Sequence, residues 1–366
     1  MSRLVCVKDY EEYAATVLPK NALDYYKSGA GSEETLSLNK SAFKKYRIRP
    51  RLLRDVSKRD LSLTVFGSHV SMPIGISPTA MQRMAHPEGE CANAKAAEAN
   101  GAVFILSTIA TSSIEEVAEA APKCVKWFQL YIYRDREITK NLVKRAEKCG
   151  FKAIVLTVDT PMFGLRRADI RNQFALPPHL RMANFIDEKA TKINQQTDGS
   201  SLNNYVKNLF DTTLNWEDIR WLKGITGLPI VLKGILTAED AKIGADFAVD
   251  GIFVSNHGAR QVDGTPASIE ALAEIVKAVG HQCEIFLDGG VTEGTDVFKA
   301  LGLGAKMVFM GRPALWGLAH SGEEGVKKVL DILKTELDYT LALTGCSSLK
   351  DIKSEMVVHE SYYSRL

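Results

Sequence analysis

The richest chemistry lies in the segment VSNHGARQVDG (254–264), where His257 stands three residues before Arg260 between small residues. An imidazole titrates near neutral pH, so His257 is the natural general base. A guanidinium grips a carboxylate through two parallel hydrogen bonds, so Arg260 beside that base suits a carboxylate substrate losing a proton. Asp159, which closes the apolar run IVLTVD, can hold the imidazole in one tautomer, or it can be a turn residue before Thr160-Pro161. Lys233 closes IVLK and has two functional readings: a Schiff-base amine, or a fixed positive charge beside a cofactor that becomes anionic. FLDGGV and VFMGRP are glycine-bearing strand ends. The backbone N–H groups of Gly290 and Gly311 and the guanidinium of Arg312 could cradle a phosphate there.

These residues share one feature, which is that each ends an apolar run. The runs begin near Ile74, Val103, Trp127, Ile154, Ile230, Ile252, Ile285 and Val308. Continuous apolarity marks strands buried on both faces. Successive starts lie 22–33 residues apart except for one step of 76, which fits a strand, a helix and two short loops per unit. Amphipathic stretches such as SSIEEVAEAA, with Ser112 or Ser113 as N-cap, fill the gaps. Eight such units predict an α/β fold, a single (β/α)₈ TIM barrel spanning 1–366, whose chemistry gathers at the strands' C-terminal ends. Residues 1–70 precede the barrel and are expected to form a helical cap on one end. The long step after the fourth strand predicts a partly mobile lid over 160–215.

The chain has 366 residues, room for one large barrel or two to three smaller domains. Its 46 basic and 44 acidic residues leave a net charge of +2, too flat for a nucleic-acid or acidic-membrane partner. No apolar run approaches the ~20 residues of a membrane span. Six scattered cysteines form no C-x-x-C pair, so no metal site is expected, and the thiols are expected to stay reduced inside the cell. Ser364-Arg365-Leu366 reads as a variant of the S-K-L signal and predicts recognition by a peroxisomal import receptor. No phosphate-binding loop of the P-loop or dinucleotide-binding kind is present.

Nearly end to end, the chain resembles the FMN-dependent S-2-hydroxy-acid oxidase family, which includes glycolate oxidase. The resemblance is carried by DYYKSGA, PTAMQRMAHPEGE, QLYIY, TVDTP, LPPHLR, LKGI, SNHGARQVDG, DGGV and GRPALWGLA. It implies FMN over the barrel mouth, contacted by Pro78, Thr79, Ala80, Ser107, Gln129 and Thr157. Lys233 would lie near the flavin N1 and C2 carbonyl. Ser255, Asp288, Gly289, Gly290, Gly311 and Arg312 would hold the ribityl chain and phosphate. Arg260, Arg166 and the Tyr25 hydroxyl would meet the substrate carboxylate, and Tyr131 the substrate hydroxyl. His257 would be the base, oriented by Asp159, acting on the α-carbon proton or the hydroxyl proton. The implied reaction turns a 2-hydroxy acid into a 2-oxo acid and O₂ into H₂O₂, in a peroxisomal enzyme whose relatives are often tetramers. A related dehydrogenase with a non-oxygen acceptor, or a Schiff-base aldolase using Lys233, are the competing expectations.

Two positions depart from the family pattern. Ile109 stands where glycolate oxidases carry tryptophan, which predicts a wider apolar pocket. Thr292 stands where many relatives carry an arginine that binds the FMN phosphate, with Glu293 beside it. Weaker FMN retention is therefore expected, with Arg312 carrying the phosphate.

Overall fold

All eight apolar runs become strands, and the strands close on themselves. The computed structural model describes residues 3–185 and 209–365. Three short strands come first: β1 (Tyr46–Ile48), β2 (Leu63–Val65) and β3 (Ser68–Val70). The barrel follows as β4 (Ile74–Ile76), β5 (Val103–Leu106), β6 (Val125–Leu130), β7 (Ile154–Thr157), β8 (Ile230–Ile235), β9 (Gly251–Val254), β10 (Glu284–Asp288) and β11 (Met307–Met310). Every neighbouring pair is parallel, and β10 pairs with both β9 and β11 to complete the ring.

The strands look uniformly apolar because each of their faces meets a different core. Val103, Ile105, Trp127, Val155, Val231, Phe253, Phe286 and Phe309 fill the barrel interior. Phe104, Leu106, Phe128, Leu130, Ile154 and Leu156 point the other way and pack against the surrounding helices. Ser113 rather than Ser112 caps the helix Ile114–Ala120, accepting from the Glu116 N–H while Glu116 accepts from the Ser113 N–H.

The segment before the barrel serves both of its ends rather than one. The β2–β3 hairpin closes the N-terminal end of the barrel, with Val65 and Val70 in the interior core and the Phe66 ring 5.4 Å from Trp127 and 5.7 Å from Phe286. Helices α2 (Lys20–Lys27) and α3 (Glu34–Ala42) run across the opposite, catalytic end. A hairpin of strands was not expected in this segment, because its two strands are three residues each and lack a long alternating pattern. Beyond α1 (Val7–Val17), β1 pairs antiparallel with the late strand β12 (Val357–His359) and ties the two ends of the chain together. Residues 186–208, the centre of the expected lid, and Leu366 of the expected peroxisomal signal lie outside the described residues. Among the described residues, no helix is long and apolar enough to cross a membrane.

Phe286 tests the interior core, since its ring contacts Trp127, Phe253 and Phe309 and is fully buried. Phe286→Ala should cost about 3–5 kcal/mol, read as a lower midpoint in chemical denaturation. An unchanged midpoint would show that the interior repacks around the gap.

Candidate active site

The strand ends surround a cavity of about 320 Å³ at the C-terminal mouth of the barrel. Of the residues expected there, Tyr25, Pro78, Thr79, Ala80, Ser107, Ile109, Gln129, Tyr131, Thr157, Arg166, Lys233, His257, Arg260, Asp288, Gly289, Gly290, Gly311 and Arg312 all line it. Two do not. Asp159 stands behind His257. Ser255, expected to hold the ribityl chain, instead accepts from Lys233 Nζ at 2.8 Å and donates to Asp288. Its side chain is consumed within the wall, so Ser255 positions the residues that face the cavity.

His257 is held by both its backbone and its ring. The residue sits in the left-handed region (φ 58°), as do Gly258 and Ala259 after it, which turns the chain tightly out of β9. Its N–H donates to Ser255 Oγ at 3.0 Å. Its Nδ1 lies 2.9 Å from Asp159 Oδ1, which also accepts from Thr160 Oγ1. With Nδ1 committed to the carboxylate, Nε2 is the nitrogen left for proton transfer. Burial lowers the His257 pKa, Asp159 opposes that, and nearby Lys233 and Arg166 lower it further; the net is below the ordinary histidine value. Burial raises the Asp159 pKa, but the imidazole and Lys233 outweigh it, so the carboxyl stays below its usual range.

Lys233 forms a buried ion pair with Asp288 at 3.0 Å. Asp288 also accepts from Ser77 Oγ at 2.7 Å. Three strand ends, β4, β8 and β10, and the residue after β9 are thus joined by one polar cluster. A Schiff-base nucleophile must be a free, neutral amine, whereas this one is fixed in an ion pair. Gln129 Nε2 donates to Thr157 Oγ1 at 3.1 Å, and its Oε1 accepts from the Thr108 N–H at 3.1 Å, so the amide's orientation is set.

Positive charge at the mouth exceeds its local compensation. Arg260 Nη1 donates to the Tyr25 and Ser28 carbonyls at 2.6 and 2.9 Å, and the guanidinium lies 4.8 Å over the Tyr25 ring. The guanidinium also hydrogen-bonds the Tyr25 side chain, which opposes the effect of burial on that hydroxyl. Arg166 is buried, with Asp169 no closer than 3.9 Å, and burial together with Arg260 brings its pKa down to about 10. Arg312 gives Nε to the Tyr26 carbonyl and Nη2 to the Ser28 and Gly258 carbonyls, which leaves Nη1 without an acceptor among the described residues. Burial and then Arg260 lower the Arg312 pKa to about 9, so it too remains a cation at neutral pH. Burial raises the hydroxyl pKa of both Tyr25 and Tyr131, so each stays protonated as a neutral donor.

FMN fits this donor set. The Arg312 Nη1 group and the cavity-lining backbone of Gly289, Gly290 and Gly311 lie after the seventh and eighth barrel strands, where barrels commonly bind phosphate. A lysine and a fixed carboxamide line the deeper wall. Sequence reasoning missed Ser77, Asn39, Lys40 and Phe163, which belong to this wall or its rim. Asn39 and Lys40 lie on α3, ahead of the barrel, where no local signal points to the mouth.

Gly234 was also missed, although it follows Lys233 directly. The β8–β9 register shifts between Lys233 and Ile235, which leaves Gly234 in a bulge with φ 109°. A Cβ there would lie 2.6 Å from Asp159 Cβ and Cγ. Gly234→Ala should therefore displace the carboxylate that holds His257 and lower kcat at least ~10-fold, with KM changed far less. Steady-state kinetics on a variant of normal thermal midpoint checks this, and an unchanged kcat would show that Asp159 tolerates the displacement.

Comparison with known proteins agrees with this geometry. Residues 14–359 match the family described as FMN-dependent dehydrogenase. Human 2-hydroxyacid oxidase 1 is 54% identical, over 98% of this chain and 97% of its own length. Maize glycolate oxidase 1 is 52% identical, over 99% and 97%. A crystal structure of mandelate oxidase with (S)-4-hydroxymandelic acid superposes with a TM-score of 0.92 at 40% identity, covering 96% of this chain and 98% of that one. The chain belongs to the FMN-dependent dehydrogenase family.

Proposed function

We propose that the protein is an (S)-2-hydroxy-acid oxidase. The observation that carries this is the placement of one base, His257 with Nδ1 tied to Asp159, in the same cavity as Arg166, Arg260 and Lys233. Bound FMN supplies a two-electron acceptor that dioxygen regenerates, with H₂O₂ as the reduced product. Pro78, Thr79, Ala80, Ser107, Gln129, Thr157 and Lys233 would flank the flavin ring. Asp288, Gly289, Gly290, Gly311 and Arg312 would face the ribityl chain and phosphate, with Ser255 holding Asp288 and Lys233 from behind.

Arg260 and Arg166 bind the substrate carboxylate, and the Tyr25 hydroxyl donates to it. Two cations and a neutral donor fix the substrate's orientation, which lowers the entropic barrier to reaction. Tyr131 donates to the substrate hydroxyl. His257 Nε2 takes a proton from the α-carbon or the hydroxyl, and Asp159 stabilises the imidazolium that results. The product is a 2-oxo acid. Dioxygen as second substrate, peroxisomal import through Ser364-Arg365-Leu366 and assembly as a homotetramer belong to the same reading, supported by the family resemblance and the tripeptide.

Anaerobic mixing with substrate should bleach the yellow protein, and His257→Gln should slow bleaching by more than ~10²-fold. In the wild type the acid limb of kcat/KM should lie below histidine's ordinary ~6.5, because burial and the nearby cations lower the His257 pKa. Asp159→Asn removes the group that raises it, so the limb should move to still lower pH while the rate falls. Near-normal bleaching in His257→Gln, or a limb that moves up in Asp159→Asn, would end the assignment.

Ile109 is buried at 3% exposure and lines the cavity. An isoleucine in place of an indole leaves apolar room, and each buried methylene is worth ~0.8 kcal/mol. The enzyme should favour 2-hydroxyoctanoate over glycolate in kcat/KM, and Ile109→Trp should reverse that order. A strong glycolate preference in the wild type would contradict the pocket argument.

A further inference from the structure

The phosphate end of the cavity holds a cation that comes from outside the barrel. Thr292 lines this end with an uncharged side chain. Its N–H donates to Asp296 Oδ2 at 3.0 Å, and its hydroxyl lies 3.4 Å from the same oxygen. The neighbouring Glu293 is exposed and does not line the cavity. The loop after β10 therefore offers a phosphate backbone N–H groups but no charge.

α3 lies directly against that loop. Asn39 exchanges two side-chain hydrogen bonds with Asn256, at 2.9 and 2.7 Å, which pins the helix to the end of β9. Gly290 (φ 86°) must be glycine, because a Cβ would collide with the Asn39 carbonyl. The next residue, the exposed Lys40, is thereby placed on the cavity rim near Gly290, and Thr292 lines the same cavity. Its ammonium group is not free. Glu11 of α1, which also lines the cavity, accepts from Lys40 Nζ at 2.9 and 3.2 Å. The same carboxylate acts electrostatically on Arg312, where it opposes the effect of burial. A single anionic side chain thus occupies the field of two cations at the place where barrels of this kind hold phosphate.

We propose that Lys40 anchors the FMN phosphate together with Arg312, and that Glu11 is the internal anion the phosphate displaces from Lys40. The proposal rests on FMN binding in this cavity. A phosphate carries nearly two charges and three acceptor oxygens, so it outcompetes one carboxylate for a lysine. Lys40 supplies from α3 the charge that Thr292 lacks. Lys27 also lines the cavity, but among the described residues it forms no ion pair with Glu11. The result is a cofactor site whose affinity depends on how α1 and α3 pack across the mouth.

The test titrates flavin-stripped full-length protein with FMN and, separately, with riboflavin, following the quenching of flavin fluorescence. Lys40→Met should weaken FMN binding by roughly tenfold or more, the size of a lost charged hydrogen bond, while riboflavin affinity stays within about twofold. Glu11→Gln should tighten FMN binding and leave riboflavin unchanged. Thr292→Arg should restore FMN affinity in the Lys40→Met background. FMN affinity should fall with added salt more steeply in the wild type than in Lys40→Met. Unchanged FMN affinity in Lys40→Met, or a parallel loss of riboflavin affinity, would overturn the role of Lys40. Weaker FMN binding in Glu11→Gln would overturn the role of Glu11. Failure of the wild type to bind either flavin would overturn FMN binding itself, a distinct outcome.

Discussion

The structure depends on a mouth that is built short of anions. Arg166, Arg260 and Arg312 gather there with Lys233, and only Lys233 has a carboxylate within hydrogen-bond reach. Burying a guanidinium away from water is costly unless its N–H groups are used. The chain meets part of that cost with backbone carbonyls, those of Tyr25, Tyr26, Ser28 and Gly258. Carbonyls supply hydrogen bonds but no neutralising charge. In the proposed function the remaining demand is met by ligands, a phosphate at one end of the cavity and a carboxylate at the other. The same imbalance would favour anionic ligands at this mouth.

The barrel lets that imbalance persist. Strands packed on both faces hold the residues that end them to well-defined positions, and the interior ring cluster of Trp127, Phe253, Phe286 and Phe309 resists collapse. Above it, Asp288 collects Lys233, Ser255 and Ser77, so the floor of the cavity is one bonded unit rather than separate side chains. A change at any of these residues is transmitted to the others. Ser255 belongs to this unit without facing the cavity.

What could be read from the sequence follows from where the information is local. A run such as IVLTVD shows its strand because both faces are apolar, and its terminal Thr157 and Asp159 are then assigned to the mouth by topology alone. That logic reached every strand of the barrel and most of the cavity wall. It failed where two distant segments meet. Gly234 reads as an ordinary residue in LKGI until the bulge in β8 brings it against Asp159. Asn39 and Lys40 lie in a helix whose sequence shows only helix, and the pairing with Asn256, more than two hundred positions away, is what assigns them to the site. The division of residues 3–70 between the two ends of the barrel was hidden for the same reason.

The electrostatics of the mouth also couple substrate binding to the strength of the base. Lys233 and Arg166 both act to lower the pKa of His257, while Asp159 acts to raise it. An imidazole in that field is neutral and ready to accept a proton, but its conjugate acid is disfavoured by the neighbouring cations. In the proposed function, a carboxylate bound by Arg166 would cancel part of its field at His257, so the imidazolium would form more easily with substrate in place. On the proposed reading, the opposing groups keep the base neutral before substrate binds and strengthen it once a carboxylate is bound, so Arg166, proposed to bind the substrate, also bears on the basicity of His257.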